Sequence, residues 1–222
     1  NAGSYSTNAV AQQTFAYILE HFNKVCEYDA LVKQGEWIRS KTFSILAAPT
    51  DELAGKTIGI VGYGNIGKKV ADIALAFSMN VLVYNRSKKQ DDRVEFVSLD
   101  TLLSESDIIT LHCPLNDDSL NMIDKKAFDK MKRGALFINT ARGPLVVEED
   151  LFEVLKENKI FAAVDVLREE PMRKDCILKD APNIIFTPHT GWAPRTTRQR
   201  LIDISVKNLK GFVNGCPENV VS

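Results

Sequence analysis

Three glycines in the spacing Gly62-Tyr-Gly64-Asn-Ile-Gly67 stand directly after the β-branched run Thr57-Ile-Gly-Ile-Val61 and before an amphipathic stretch, Ile66 to Ser78. A strand running into a glycine-rich turn that opens a helix is the setting in which this spacing binds a dinucleotide pyrophosphate. Gly62 permits the tight turn, Gly64 admits the pyrophosphate to the backbone, and Gly67 lets helix and strand pack closely. Asn65 and Ile66 open the helix whose N–H groups and positive dipole end face the anion. At the end of the next run, Asn80 to Tyr84, an NAD site places an acid on the ribose hydroxyls. Here Asn85 occupies that position, followed by Arg86, Ser87, Lys88 and Lys89. Positive charge and a hydroxyl suit a 2′-phosphate, so the segment predicts NADP(H), with NAD(H) the alternative.

Groups able to move a proton are few. His21 lies in an amphipathic pattern, where a packing role is the simplest account, and His112 ends a strand-like run. His189 follows the run Asn183 to Phe186, and Arg142 follows the run Ala135 to Asn139. Both positions fall at the carboxyl edge of a parallel sheet, where such folds bind ligands.

The elements that must position these residues alternate between two periods. Short buried runs at Thr57 to Val61, Asn80 to Tyr84, Asp107 to Leu111, Ala135 to Asn139, Phe161 to Val166 and Asn183 to Phe186 read as strands. Helical patterns at Ile66 to Ser78 and Glu148 to Glu157 lie among them, so crossovers and a doubly wound parallel sheet are predicted: an α/β, Rossmann-type cofactor domain. Before this series, Thr7 to Val32 reads as one helix, capped by Ser6 or Thr7, with Phe15, Ile18, Leu19, Phe22, Val25 and Cys26 on its apolar stripe. A connector spans about 33–55. A last helix starts at Pro194 with Leu201, Ile202, Ser205, Leu209 and Phe212 on one face.

Composition closes off other classes. The 222 residues carry 28 basic and 29 acidic side chains, net −1, so no global basic field exists for nucleic acid or an anionic membrane. No apolar run approaches the ~20 residues needed to span a bilayer. Cys26, Cys113, Cys176 and Cys216 show neither CxxC pairing nor zinc spacing, which predicts no metal site and a reducing, cytoplasmic setting.

Further segments carry a resemblance: Gly59-Ile-Val-Gly-Tyr-Gly-Asn-Ile-Gly67, His112-Cys-Pro-Leu115, Met131-Lys-Arg-Gly-Ala135, Ile138-Asn-Thr-Ala-Arg-Gly143, Asp165-Val166, Glu170-Pro171 and Thr187-Pro-His-Thr-Gly-Trp192. With these motifs the chain resembles the D-isomer-specific 2-hydroxyacid dehydrogenases, and the Trp after His-x-Gly is most similar to the glycerate dehydrogenase and hydroxypyruvate (glyoxylate) reductase members. The resemblance implies a dinucleotide-binding domain over 1–193. It also implies that 194–222 completes a substrate domain whose N-terminal part precedes the segment given. A homodimer through the cofactor domain is implied as well.

For the reaction, the resemblance implies hydride exchange between a nicotinamide cofactor and a small 2-oxoacid or D-2-hydroxyacid. His189 is then the proton donor, and Glu170, fixed in register by Pro171, is its carboxylate partner, with Glu169 the neighbour one position away. A carboxylate partner favours imidazolium. Arg142, with its planar fork, suits the substrate carboxylate. Thr140, Ala141, Asp165 and the pair Cys113-Pro114 are implied nicotinamide and adenine contacts, with Arg142 and His189 beside them. Phosphoglycerate, formate and phosphite dehydrogenases on the same scaffold are the alternatives, as is a cofactor-sensing, corepressor-like binding protein.

Overall fold

Alternate residues of the buried strands supply two separate cores, one on each face of a single sheet. Ile58, Ile60, Ile108, Leu136 and Ile138 face one layer of helices, whereas Val61, Ile109, Leu111 and Phe137 face the other. The computed structural model describes residues 1–87 and 89–221, so Lys88, counted among the phosphate-binding candidates, lies outside the described residues. The strands are β1 (Thr57–Val61), β2 (Asn80–Tyr84), β3 (Glu95–Phe96), β4 (Ile108–Leu111), β5 (Leu136–Asn139), β6 (Phe161–Val164) and β7 (Ile184–Phe186). All pair in parallel in the order β3-β2-β1-β4-β5-β6-β7. The chain reverses its direction of travel between β1 and β4, which opens a crevice at their carboxyl ends.

The helices are α1 (Thr7–Asn23), α2 (Val25–Lys33), α3 (Glu36–Arg39), α4 (Asn65–Ala76), α5 (Leu99–Glu105), α6 (Lys125–Lys130), α7 (Glu148–Lys156) and α8 (Arg195–Val213). Helices α1 and α4 pack together over one face through Phe15, Ile18, Val70 and Ala74. Helices α5, α6 and α7 cover the other with Leu102, Phe128 and Val154.

The expected single helix from Thr7 to Val32 is two. Lys24 adopts a left-handed conformation (φ 54°) and ends α1, and the Glu20 carboxylate accepts the Cys26 N–H as α2 begins. The stripe ends with it: Val25 and Cys26 are exposed, and α2 buries no residue because no core lies beneath it. Within the connector α3 forms one turn. Helices α5 and α6 were missed because each is under eight residues long, although Ser98 and Asp124 cap them by accepting the amides of Thr101 and Ala127. Strand β3, two residues at the sheet edge, carries too little periodicity to register. Ser6 does precede α1, but its side chain makes no capping bond. On α8 the predicted apolar face stands in the open, with Ile202, Leu209 and Phe212 exposed and only Thr197 buried.

Candidate active site

Gly62 leaves β1 at φ 99°, and a Cβ there would lie 2.6 Å from the Cys113 amide, so only glycine lets the ends of β1 and β4 meet. A Cβ on Gly67 would lie 2.1 Å from the Gly62 carbonyl; this glycine packs the helix on the turn and lines neither cleft described here. Gly64 is different. A Cβ there meets nothing within 4 Å, and α4 begins at this point with no side-chain cap. Open space above a glycine at an uncapped helix N-terminus is what a pyrophosphate needs. The Asn65 side chain turns aside to Ser4 (2.7 Å), which leaves the backbone as its contribution to the turn.

A cavity of about 360 Å³ continues from this turn, between Val61, Tyr84, Cys113, Pro114 and Met122. Its size and mixed lining fit a nucleoside. Asn85, Arg86, Ser87 and Lys89 form its rim. Asn85 accepts the Tyr63 amide (2.8 Å) and donates to the Ser87 carbonyl (2.7 Å) and hydroxyl (3.0 Å), so it ties the glycine turn to the 86–87 turn. Arg86 crosses the rim to pair with Asp118.

A second cleft lies on the other side of Cys113-Pro114, lined by Ile66, Thr140, Ala141, Arg142, Asp165 and His189. His189 Nδ1 and Glu170 Oε2 are 2.6 Å apart, and Glu170 Oε1 accepts the Leu167 amide at 3.0 Å. Glu169 instead faces Arg173 (3.3 Å), so the register set by Pro171 is the one the fold adopts. Asp165, 4% exposed, spends its carboxylate on the histidine's turn: it accepts the amides of Thr190 (2.9 Å) and Gly191 (2.8 Å) and the Thr187 hydroxyl, while its carbonyl accepts the His189 amide (2.8 Å).

Arg142 emerges from β5 on a loop held by the buried Asn139, whose side chain accepts the Ala141 amide (3.0 Å) and donates to the Arg142 carbonyl (2.9 Å). The guanidinium is exposed, donates to the Ala141 carbonyl (2.6 Å), and forms no salt bridge among the described residues. Directly after it, a Cβ on Gly143 would lie 1.9 Å from the Leu167 carbonyl carbon, so this loop and the one carrying Glu170 touch backbone to backbone. A histidine backed by a carboxylate and a fork-shaped cation with no salt bridge among the described residues thus line one cleft, beside the nucleoside-sized cavity.

Residues 15–191 match the family model described as "D-isomer specific 2-hydroxyacid dehydrogenase, NAD binding domain". The chain belongs to the D-isomer specific 2-hydroxyacid dehydrogenases. It is 41% identical to a hydroxypyruvate reductase of Blautia hydrogenotrophica over the whole chain and 70% of that relative. Among solved structures it is similar to an acyclic imino acid reductase in complex with NADPH and D-Arg (33% identity, TM-score 0.88, all of this chain and 70% of that one). A D-lactate dehydrogenase with NAD+ from Lactobacillus jensenii is similar too (32% identity, TM-score 0.85, 99% of this chain and 70% of that one).

In this 2-hydroxyacid dehydrogenase burial disfavours a proton on the other two histidines, although His112 borders both clefts. His21 is wedged edge-on between Phe22 and Phe161, and burial with Lys24 nearby pushes it down to about 4. His112 faces Thr110 (3.0 Å), its Nδ1 is buried without a partner, and desolvation pushes it down to about 3. Burial likewise pushes the Cys113 thiol up to about 11, so beside Met122 it is an apolar wall. Sequence reasoning passed over Asn139, Gly143, Thr187, Asp118 and Tyr17. Asn139, Gly143 and Thr187 lay inside quoted motifs, where their side-chain contacts had no separate signal.

Proposed function

We propose that the protein is an NAD(P)-dependent D-2-hydroxyacid dehydrogenase that reduces small 2-oxoacids, hydroxypyruvate or glyoxylate above all. The observation that carries this is that His189, held by Glu170 at 2.6 Å, lines one cleft with Arg142 and Ile66 of the glycine turn's helix. Bound nicotinamide cofactor supplies or accepts the hydride. Protonated His189, held by Glu170, donates a proton to the carbonyl oxygen, and the same imidazole takes it back in oxidation. Arg142 binds the substrate carboxylate through its fork and polarises the neighbouring carbonyl.

Among the described residues lining this cleft Arg142 is the sole lysine or arginine. The cofactor contacts are Gly62, Gly64, Asn65, Ile66, Gly67, Asn85, Arg86, Ser87, Cys113, Pro114, Thr140, Ala141, Arg142, Asp165 and His189, with Gly67 acting through packing and Asp165 mainly through the histidine's turn. NADP(H) is the preferred cofactor because Arg86 and Ser87 border the nucleoside cavity where no acid stands at position 85. The Asp118 partner of Arg86 moderates that preference.

A homodimer is supported by the arm formed by α2, α3 and the residues after them, whose Trp37, Ile38, Phe43 and Leu46 are all exposed. Helix α8 and the tail to 222 are assigned to a substrate-binding part. The four unpaired cysteines fit a cytoplasmic setting. Cofactor oxidation measured against a panel of 2-oxoacids tests the reading: hydroxypyruvate and glyoxylate should give the highest kcat/KM. Cofactor binding without oxidation by any 2-oxoacid overturns it and leaves a sensing role.

A further inference from the structure

Helix α1 sends two hydroxyl contacts to the loops that carry the proposed acid and the proposed carboxylate clamp. Thr14 and Tyr17 lie one turn apart on its buried face. Thr14 Oγ1 is 3.4 Å from Thr140 Oγ1 at the end of β5, and the Tyr17 hydroxyl bonds Thr187 Oγ1 at the end of β7. Thr187 also bonds Asp165. An ionised carboxylate has no proton to give and threonine has one, so Thr187 donates to Asp165 and accepts from Tyr17. Burial raises Tyr17 above the ordinary phenol range, which keeps that donor proton in place. From Asp165 the chain reaches the amides of Thr190 and Gly191 and, through its carbonyl, His189 itself. His189 sits at φ 54°, a conformation that persists only where its surroundings over-determine it.

We propose that Tyr17 is a positioning residue for His189: its hydroxyl fixes the Thr187 side chain, and with it the Asp165-centred turn that aims the imidazole at the substrate. The proposal rests on His189 being the acid, but its test is built to fail separately. Tyr17→Phe removes the hydroxyl and keeps the ring that packs α1. In this variant kcat for the 2-oxoacid should fall roughly tenfold, with KM and cofactor affinity changed less than about twofold, as expected when aim and not binding is lost.

Hydrogen exchange of the Thr190 and Gly191 amides in the cofactor-free protein should quicken about fivefold, the loss of one hydrogen bond's support. This second readout needs neither substrate nor turnover. A wild-type protein without 2-oxoacid activity sinks the functional reading alone, whereas unchanged exchange in Tyr17→Phe sinks this one. In a Thr187→Ser background, which keeps the hydroxyl, Tyr17→Phe should act as in wild type. In Thr187→Val it should add nothing. An equal loss in the Thr187→Val background shows that Tyr17 acts by packing and overturns the proposal.

Discussion

His189 and Glu170, 19 positions apart in the chain, meet at 2.6 Å between Nδ1 and Oε2, and the second oxygen of Glu170 is held by the Leu167 amide. The carboxylate therefore orients the ring through Nδ1, and Nε2 is left for the proposed substrate.

Loss of the acid should be costly and specific. His189→Ala should lower turnover by roughly 10²- to 10⁴-fold with cofactor affinity nearly intact, the range expected when general acid catalysis is removed. His112→Ala should affect chemistry much less. Steady-state kinetics of the two variants decide, and a reversed order removes His189 from its role.

Arg142 forms no salt bridge among the described residues, so its fork is available to a substrate carboxylate. Arg142→Lys keeps the charge and loses the bidentate geometry, and it should raise KM and depress kcat together. Wild-type constants on every 2-oxoacid tested would take Arg142 out of the site.

Cofactor choice turns on the rim of the nucleoside cavity. A charge-assisted bond to a 2′-phosphate is worth about 1.5 to 3 kcal/mol, so NADPH should bind roughly tenfold tighter than NADH at low salt. Asn85→Asp with Arg86→Ala should reverse the order, and Asp118→Asn, which frees Arg86, should widen it. Fluorescence titration with both nucleotides measures this; tighter NADH binding by the wild type defeats the preference.

The parallel sheet and its carboxyl edge were legible in the sequence because buried strands and a glycine turn carry strong local signals. Gly62, Arg142 and His189 could be placed at strand ends for that reason alone. Glu170 needed the motif, since nothing local separates it from Glu169. The break at Lys24 was not legible: the apolar period continues through Val25 and Cys26, and only the absence of a core beneath them ends the helix. The Asp118 partner of Arg86 was equally hidden, because the pair closes across 32 positions.

Acid sensitivity follows from the two half-buried histidines. His21 and His112 are pushed down to about 4 and about 3, below the ~6.5 of an unfolded chain. The unfolded state binds more protons in that window, so stability is complete above about pH 6.5 and falls toward pH 4.5 by at most about 1.4 kcal/mol per pH unit per histidine. Asp91, also held low, by Arg93 and Tyr63, contributes only below about pH 4. His21→Phe keeps the edge contacts with Phe22 and Phe161 and should roughly halve the slope of urea-unfolding stability between pH 6.5 and 4.5. A slope unchanged by this substitution places the acid sensitivity elsewhere.

The central claim, that His189, Glu170 and Arg142 bind and protonate a 2-oxoacid while the nicotinamide cofactor supplies the hydride with defined handedness, is tested most directly by the product itself. Hydroxypyruvate and reduced cofactor should be converted by the purified protein to glycerate of the D configuration, resolved by chiral chromatography, and Glu170→Gln should slow its formation at least about tenfold. Glycerate of the L or mixed configuration, or unchanged rates in Glu170→Gln, would contradict the account.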